Sequence, residues 1–496
     1  MKSEDTICAL ATPAGGAIAV IRLSGPQSIS IMDKVFRSPS RRSLSEAKPN
    51  TLHYGEIGVE DSSDSSKENN DVTKNFKFQI SNFKVIDDVV VSVYRAPHSY
   101  TGEDSAEISC HGSRYIVQQI LLLLQANGAR QAEPGEYTRR AYLNGKMDLS
   151  QAEAVADLIA ATNRASHDLA LGQLRGHVRT ALDTLRERLQ KLTALLELEL
   201  DFSDHEDLEF ADRSELFDLA SDIKQRLIRL ADTYRTGKAI KEGIPVAIVG
   251  KTNVGKSTLL NRLIGEDRAI VSDVPGTTRD TIEDVVDING IAFRFVDTAG
   301  LRQTDDKVEK IGIDRAYAQI GKASVILWVI DAEPADEEIE GIKNISEGKQ
   351  IIIVRNKIDL EDKSSKIANH KLQTSNFKLQ SSNFKLQTSN FKFQSISAKA
   401  GINIDLLKEK IYEAANIPDL NESDAVVSSA RQYALLKEAL TNLDRVIEGL
   451  QSGLSSDLVA EDLRLVIDNL GDITGIERVT PASTLDLIFR EFCIGK

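Results

Sequence analysis

A phosphate-binding signature at residues 250–257, GKTNVGKS, constrains the fold of this chain more than any other feature. It follows the apolar run Val246–Val249, a predicted strand, and precedes a predicted helix from Thr258 to Leu263. In such a loop the glycines let backbone N–H groups surround phosphates at a helix N-terminus. Lys256 is then expected to reach the β- and γ-phosphates, and Ser257 to ligate Mg²⁺. The signature predicts a nucleotide-binding domain built on a parallel sheet.

Three further motifs lie in the order that a guanine-nucleotide site requires. Asp297-Thr298-Ala299-Gly300 ends an apolar run, Asn356-Lys357-Ile358-Asp359 follows a second run, and Ser397-Ala398-Lys399 follows a third. Asp359 can accept hydrogen bonds from both N1–H and the 2-amino group of guanine, and adenine offers neither in that arrangement. Order and placement together favour a GTPase domain over chance matches.

The segment between these motifs bears on hydrolysis. Thr278 is expected to complete the magnesium shell and to sense the γ-phosphate. In Ras, a glutamine that orients the attacking water directly follows the corresponding motif. In this chain the residue after Gly300 is Leu301, which cannot orient water. Glu309 is therefore a candidate for that role. The Asn253 side chain could hold K⁺, whose charge would act where other GTPases use an arginine finger.

The remainder of the chain changes character along its length. Residues 1–58 and 85–145 mix strand-like runs with turns and predict an α+β domain, whereas residues 150–236 repeat apolar residues at helical spacing without proline. Residues 425–470 and 484–493 also favour helices. The sequence therefore predicts a multidomain α/β and α fold, in which the GTPase domain is inserted into a helical domain.

Two low-complexity segments interrupt this pattern. Residues 60–84 are rich in Ser, Asp, Asn and Lys, and residues 371–394 repeat the word Ser-Asn-Phe-Lys every seven residues. The Phe and Leu spacing in that repeat does not suit a coiled coil. We expect both segments to be surface insertions, and the longer stretch 361–395 to loop away from the nucleotide site.

Composition and charge indicate the cellular compartment and the classes of partner to expect. The net charge of −14 lowers the expectation of nucleic-acid binding without excluding a local basic patch. Three cysteines without a C-x-x-C pair argue against a disulfide framework and fit a reducing cytosol. The N-terminus has no signal-peptide pattern, and no apolar run approaches the ~20 residues that span a bilayer. We expect a cytoplasmic protein without a membrane segment.

The terminal Phe492-Cys493-Ile494-Gly495-Lys496, with several short words outside the GTPase motifs, resembles one family, the MnmE (TrmE) tRNA-modification GTPases. The resemblance covers nearly the whole chain except the two insertions. Its most specific mark is that terminal segment. The other matching words are Ile21-Arg22-Leu23-Ser24-Gly25, Ser99-Tyr100-Thr101-Gly102-Glu103-Asp104, Pro134-Gly135-Glu136, Leu143-Asn144-Gly145-Lys146 and Glu309-Lys310-Ile311-Gly312-Ile313.

The resemblance implies a three-part organisation. Residues 1–146 would form a tetrahydrofolate-binding and dimerisation domain, residues 147–242 and 416–496 the two halves of a helical domain, and residues 243–415 the GTPase domain. The family implies a homodimer whose GTPase activity depends on potassium. It also implies a flavoprotein partner, MnmG (GidA), and a tRNA substrate whose wobble uridine is modified at carbon 5 with a tetrahydrofolate one-carbon donor.

The resemblance also implies roles for individual residues. Glu309, Lys256 and Cys493 match catalytic positions, although Cys493 could equally be an ordinary buried thiol. Ser257 and Thr278 match magnesium ligands. The GTP-binding positions are Asn253, Gly255, Lys256, Ser257, Thr258, Thr277, Thr278, Asp297, Gly300, Asn356, Lys357, Asp359, Ser397, Ala398 and Lys399. The folate-binding positions are Arg22, Glu107, Lys146 and Lys496, and the potassium ligands are Asn253, Ser272, Val274 and Thr277.

One alternative is a ribosome-assembly GTPase that acts as an RNA-binding switch. Such a protein would carry an RNA-binding module, for example a KH domain with a G-x-x-G clamp. No such clamp follows the GTPase motifs, so the first interpretation is favoured. One departure from the family is Ser113, which stands where a second glycine after His111-Gly112 is usual.

Overall fold

The computed structural model describes residues 5–60, 83–201, 213–266, 284–296, 321, 323–334, 336–345, 349–360, 391–417, 425–475, 485, 488, 489, 492 and 495. The chain divides into two compact units, one of residues 1–156 with 468–496 and one of residues 157–467. Each unit has its own sheet and buried core. The predicted multidomain α/β and α architecture is confirmed.

The first unit is built on a seven-stranded sheet with the order β3-β4-β5-β6-β2-β1-β7. Neighbouring strands are antiparallel except for the parallel pair β1 and β7. Val89, Val91 and Val93 alternate inward, as expected for a sheet with one covered face. The strands are β1 (Thr6–Leu10), β2 (Ile18–Ser24), β3 (Phe36–Arg37), β4 (Thr51–Glu60), β5 (Phe83–Tyr94), β6 (Ser105–His111) and β7 (Ala129–Gln131).

Two helices, Ser28–Val35 and Arg114–Ala126, cover one face of this sheet, whereas Tyr137 packs with Ile7 and Ala9 on the opposite face. The buried side of α2 contributes Val117, Ile120 and Leu124 to a core that also contains Ile21 and Ile108. The register β2–β6 places Arg22 directly opposite Glu107. The helices are α1 (Ser28–Val35), α2 (Arg114–Ala126), α3 (Glu136–Leu143) and α4 (Leu149–Ala160).

The second unit contains long helices at helical apolar spacing. Leu182, Leu185 and Leu189 are buried along α6, in the stretch where the sequence predicts helices. Helix α7 packs on α11, where the rings of Tyr234 and Tyr433 stack at 4.3 Å. These helices are α5 (Arg164–Leu174), α6 (His177–Asp201), α7 (Arg213–Glu242), α8 (Lys256–Glu266), α9 (Asp336–Ile345), α10 (Ile404–Ala414), α11 (Ala430–Ser452) and α12 (Ser456–Thr474).

The sheet of the second unit has six strands in the order β13-β12-β11-β8-β10-β9. All neighbours are parallel except the hairpin β9–β10. The order changes direction at β8, and the crevice at the carboxyl ends beside such a strand is where open α/β sheets bind ligands. The strands are β8 (Ile244–Val249), β9 (Asp284–Ile288), β10 (Ile291–Phe295), β11 (Val325–Ile330), β12 (Gln350–Arg355) and β13 (Phe391–Ser395).

The expectation that residues 361–395 loop outward is wrong for its last five residues. Phe391–Ser395 forms β13 and pairs in parallel with β12, from Ile351 opposite Phe391 to Arg355 opposite Ser395. The pairing supplies hydrogen-bond partners to the backbone along the edge of β12. The other low-complexity segment, residues 60–84, also ends in a strand, because β5 begins at Phe83. Residues 361–390 lie outside the described residues.

Within the described part of the chain, no helix is long and apolar enough to cross a membrane.

Candidate functional site

The phosphate-binding loop lies between β8 and α8, as the sequence predicts. Gly255 has φ +97°, and a Cβ atom there would lie 2.2 Å from Nδ2 of Asn356. Glycine is therefore required both for the backbone conformation and for the close approach of Asn356. Asn253 has φ +63°, a left-handed conformation that asparagine tolerates better than most residues, and its side chain is exposed.

Lys256 is folded over this loop. Its Nζ donates hydrogen bonds to the carbonyl oxygens of Gly250 at 2.7 Å and Lys251 at 2.6 Å. Burial lowers the pKa of the Lys256 ammonium from its ordinary value. Half-buried at the N-terminus of α8, this cation adds to the positive end of the helix dipole. The arrangement concentrates positive potential where the sequence predicts the nucleotide phosphates.

Asn356 joins three of the predicted motifs. It is 5 % exposed, and its Nδ2 donates to the carbonyl oxygen of Val254 at 2.8 Å. Its Oδ1 accepts from the backbone N–H of Ala398 at 2.9 Å. One buried amide thus connects the phosphate-binding loop to the Ser397–Lys399 segment. A side chain that can both donate and accept is needed there, which asparagine provides and aspartate does not.

Asp359 is held by a side chain of the last motif. The hydroxyl of Ser397 donates to Asp359 Oδ1 at 2.6 Å and accepts from the backbone N–H of Ala400 at 3.1 Å. Ser397 is fully buried, whereas Asp359 and Lys399 are exposed. The carboxylate is therefore oriented from one side while its remaining acceptor capacity faces outward. That is the geometry a guanine-recognising carboxylate needs.

Part of the predicted site is brought together and part lies outside the described residues. Ser257 and Thr258 begin α8 beside Lys256, and Lys357 follows Asn356 in a left-handed conformation with φ +68°. The predicted positions outside the described residues are Ser272, Val274, Thr277, Thr278, Asp297, Gly300, Glu309, Cys493 and Lys496.

A second cluster lies on the sheet of the first unit. Arg22 and Glu107 form an ion pair, with Nε and Nη2 of Arg22 both 2.8 Å from Oε1 of Glu107. The two side chains are 23 % and 25 % exposed, so the pair is open to a ligand from one side. The rings of Tyr100 and Tyr137 each lie 5.5 Å from the guanidinium carbon of Arg22. Tyr137 is fully buried, whereas Tyr100 is 39 % exposed, so Tyr100 and Arg22 together offer a surface that suits a flat, polar ligand.

Lys146 approaches the same cluster through a loop. Its Nζ donates to the carbonyl oxygen of Pro97 at 3.0 Å, and its stem lies close to Gly102. Tyr100 lies between those two loop positions and contacts Thr138 through its hydroxyl at 2.9 Å. The structure therefore gathers three of the four predicted folate positions around the loop 97–102. The fourth, Lys496, is not described.

The segment next to Lys496 does reach this part of the sheet. The backbone of Gly495 approaches β1 so closely that a Cβ there would lie 2.2 Å from the carbonyl oxygen of Leu10. Leu10 follows Ala9, which pairs with Arg22 across β1 and β2. Phe489 and Phe492 pack with Leu149 in a common apolar cluster. Gly495 therefore lies against the strand residue that follows the cross-strand partner of Arg22.

A buried ionic network supports this sheet edge. Arg140 is 4 % exposed and its Nη2 donates to Asp5 at 2.7 Å and to Glu136 at 2.9 Å, while its Nη1 lies 3.2 Å from Glu103. Burial acts to raise the pKa of Glu136, but hydrogen bonds from Arg130, the Glu133 backbone and Arg140 outweigh it. The resulting pKa lies below the ordinary value. Glu136 is therefore held as a carboxylate.

Two family models match the chain. Residues 6–146 match the GTP-binding protein TrmE N-terminus, and residues 149–493 match the MnmE helical domain. The chain is 48 % identical to the tRNA modification GTPase MnmE of Phocaeicola vulgatus over 517 aligned residues, covering 100 % of both chains. It is 47 % identical to the tRNA modification GTPase MnmE of Bacteroides fragilis, again over 100 % of both. The chain belongs to the MnmE family.

The family is that of the tRNA modification GTPases, so the predicted enzyme class is confirmed. Among solved structures, the chain is similar to the G domain of the T. maritima FeoB iron transporter. The TM-score is 0.24 with 26 % identity, over 35 % of this chain and 98 % of that chain.

Some residues of these sites escape prediction from sequence. Tyr100 and Tyr137, whose rings each lie 5.5 Å from the guanidinium carbon of Arg22, carry no chemical signature of their own in the sequence. Asp331 is another site residue that the sequence motifs do not predict. Its carboxylate accepts a hydrogen bond from Nζ of Lys357 at 2.8 Å. An acidic residue at the end of a predicted strand, next to the Asn356–Asp359 motif in the sheet, was the available signal.

Proposed function

We propose that this protein hydrolyses GTP to support tRNA modification. With the flavoprotein MnmG (GidA) as partner, it would add an aminomethyl or carboxymethylaminomethyl group to carbon 5 of the wobble uridine of certain tRNAs. A tetrahydrofolate derivative would donate the one-carbon unit. The observation that carries the proposal is the partly exposed Arg22–Glu107 pair beside the Tyr100 ring, in the same chain as the candidate guanine-nucleotide site.

The nucleotide site supports hydrolysis through positioning and charge. Backbone N–H groups of the loop and the Lys256 ammonium would bind the phosphates, and Asp359, oriented by Ser397, would recognise guanine. Ser257 and Thr278, together with Asp297, would hold Mg²⁺, which would neutralise charge on the β- and γ-phosphates when bound. Glu309 would orient the attacking water. Glu309→Ala should lower the GTPase rate while GTP binding is retained; loss of binding would contradict this role.

The potassium site is proposed around Asn253, with backbone oxygens of Ser272, Val274 and Thr277. The left-handed, exposed Asn253 leaves its side-chain oxygen accessible beside the loop that binds phosphates. A monovalent cation there would supply positive charge where other GTPases use an arginine finger. The GTPase rate should therefore be higher in KCl than in NaCl at equal ionic strength. Equal rates in the two salts would remove the cation from the proposal.

The residues of the first unit fit a tetrahydrofolate derivative. A pterin ring presents donors and acceptors at its edge and a flat face. The half-exposed Glu107 carboxylate could accept from it, while Tyr100 and Arg22 offer a flat surface. Lys146 and Lys496 are cations that could bind the glutamate carboxylates of the folate tail. Cys493 lies three residues before Lys496 and is kept as a candidate nucleophile.

The outer face of the same sheet supports a homodimer. Cross-strand pairing places Leu52, Ser92, Glu107 and Arg22 in one row across β4, β5, β6 and β2. Leu52 is 71 % exposed and Tyr54, on the same face, is 60 % exposed. Exposed apolar side chains beside a polar site favour a protein interface. Leu52→Asp should shift the mass in solution from dimer to monomer by light scattering.

The function is tested by nucleoside analysis of tRNA from cells that lack this protein. We expect loss of the C5 modification at wobble uridines, with restoration by the wild-type gene. Complementation by Arg22→Ala should fail although GTP hydrolysis persists. Unchanged wobble uridines in the deletion strain would refute the proposed function, whatever the GTPase activity of the purified protein.

A further inference from the structure

Two ion pairs lie near the nucleotide-binding ends of the sheet, one at the Asn356–Asp359 motif and one at the phosphate-binding loop. Lys357 Nζ donates to Asp331 Oδ2 at 2.8 Å. Lys251, the second residue of the phosphate-binding loop, forms an ion pair with Glu338 of α9. The hydrogen bond from Lys357 lowers the pKa of Asp331 from its ordinary value, and the charge of Lys251 acts in the same direction. Asp331 therefore lies within electrostatic reach of both lysines.

Asp331 and Lys357 lie where the sheet brings its nucleotide-binding ends together. Ile330 and Arg355 are paired across β11 and β12, so Asp331 follows the end of one strand and Lys357 lies just beyond the end of the next. The backbone N–H of Asn356 donates to the carbonyl oxygen of Ile330 at 2.8 Å. The Lys357 side chain must therefore cross the ends of both strands to reach Asp331.

Lys357, which donates to Asp331, has an unusual backbone conformation. Its φ of +68° lies in the left-handed region, which is unfavourable for a residue with a Cβ. A strained conformation of this kind persists only where surrounding contacts determine it. Asn356 is fixed on one side by its side-chain bonds to Val254 and Ala398, and Asp331 fixes the far end of the Lys357 side chain. The stem between these two anchors has a defined course.

We propose that Asp331 is a positioning residue for guanine-nucleotide binding, acting through Lys357. By holding the Lys357 ammonium at the end of β11, Asp331 places the apolar stem of Lys357 along the crevice next to Asp359. A long aliphatic stem with its charge tethered at one end is a suitable surface for the flat face and ribose of a nucleoside. The inference rests on the proposed nucleotide site and adds a residue to it.

The position of Asp331 predicts that it affects nucleotide affinity and not the hydrolysis step. It lies at the end of β11, beside the motif proposed to recognise the base, and it accepts a hydrogen bond from Lys357 of that motif. Its effect should therefore fall equally on GTP and GDP, which share the base and ribose. Turnover at saturating GTP should not change, because the γ-phosphate and the attacking water are bound elsewhere.

The test uses the full chain and fluorescent GDP and GTP analogues. Asp331→Asn keeps the shape of the side chain and removes its charge. We expect the Kd for both nucleotides to rise by the same factor, about two- to fivefold, the range of an exposed ion pair. The rise should come mainly from faster dissociation, with kcat unchanged at saturating GTP. Glu333→Gln, an exposed charge removal two residues away, is the matched control and should leave Kd unchanged.

A double-mutant cycle decides whether Asp331 acts through Lys357. Lys357→Met keeps the stem and removes the ammonium. In that background Asp331→Asn should have no further effect on Kd. A full effect in the Lys357→Met background, or no effect in the wild-type background, would overturn the inference.

A reference variant separates this inference from the proposed site. Asp359→Asn should abolish the preference for guanine if the nucleotide site is the one described. If Asp359→Asn has that effect and Asp331→Asn has none, only the role of Asp331 is refuted. If Asp359→Asn leaves guanine binding intact, the nucleotide site itself is wrong.

Discussion

The two candidate sites of this molecule are assembled in different ways. The nucleotide site is made of short contiguous motifs, each at the end of a parallel strand, joined by one buried amide from Asn356. The N-terminal site is made of single residues: Arg22 and Glu107 lie 85 positions apart and meet only because β2 and β6 pair in one register. The first site is specified by local chemistry and the second by strand pairing.

This difference predicts how each site fails. In the nucleotide site, a single side chain contacts two other motifs, so its loss should disturb both phosphate and base binding. In the N-terminal site, the sheet holds the backbone whatever the side chains, so substitutions there should affect ligand binding with little effect on folding. The single tryptophan, Trp328, is buried in β11 and makes its fluorescence a specific probe of the second unit.

The largest effect is expected from Asn356→Ala. Removing the side chain leaves the carbonyl oxygen of Val254 and the N–H of Ala398 without their partners in a buried setting. We expect a loss of about 2–4 kcal/mol in the free energy of unfolding of the GTPase sheet. Trp328 fluorescence in urea measures it. Amide exchange in β1 and β2 should not change; if it does, the two sites are not independent.

Arg22→Ala should have the opposite pattern. The ion pair with Glu107 is lost, and we expect affinity for a tetrahydrofolate derivative to fall about ten- to thirtyfold, as for a hydrogen-bonded charge. Affinity for GDP and the Trp328 unfolding midpoint should not change. Calorimetric titration of the folate measures the effect, with exposed Arg114→Ala as control. Unaltered folate binding would exclude Arg22 from the site.

How far the sequence predicts each site follows from the same contrast. The phosphate-binding loop, Asp359 and Ser397 are predictable because each motif contains its own geometry, such as the required glycine at 255. The helices at 150–236 are predictable because apolar residues recur at helical spacing.

What the sequence alone does not predict depends on long-range pairing. No local pattern places the rings of Tyr100 and Tyr137 close to Arg22, and only the family resemblance indicates Arg22 itself. The sequence predicts an outward loop at Phe391–Ser395 because residues 361–395 lengthen the stretch between two nucleotide-binding motifs. Phe391–Ser395 forms a strand because β12 offers it a hydrogen-bonding edge. Backbone pairing determines that segment more strongly than its composition does.

A smaller effect, confined to the first unit, is expected from Glu136→Gln. Arg130 and Arg140 donate charge-assisted hydrogen bonds to this carboxylate. We expect the free energy of unfolding of the first unit to fall by about 1–1.5 kcal/mol at pH 7, with no change in Trp328 fluorescence.

The pH dependence of that loss has a definite direction. Because the pKa of folded Glu136 lies below its ordinary value of 4.5, the contribution is complete above that pH. It is lost as the pH falls through the lowered folded-state pKa. Wild type and Glu136→Gln should therefore converge in acid, as followed by amide exchange in β1. Exposed Glu133→Gln is the control. A difference that persists in acid would assign the stabilisation to shape instead of charge.

The smallest effect is expected from Ser397→Ala, within the nucleotide site. The hydroxyl donates to Asp359 and accepts from Ala400, so its loss frees the carboxylate without removing it. We expect the Kd for GDP to rise about two- to tenfold, the value of one or two neutral hydrogen bonds. Equilibrium titration with a fluorescent GDP analogue measures it, and Ser395→Ala on β13 is the control.

The size of that effect decides between two descriptions of the site. If Ser397→Ala raises the Kd for GDP far less than Asn356→Ala does, each motif can bind its part of the nucleotide and Asn356 assembles the motifs. If the two substitutions raise the Kd by the same factor, Asp359 has no orientation of its own. The nucleotide site would then depend on contacts between distant residues as fully as the Arg22–Glu107 pair does, and the contrast between the two sites would fail.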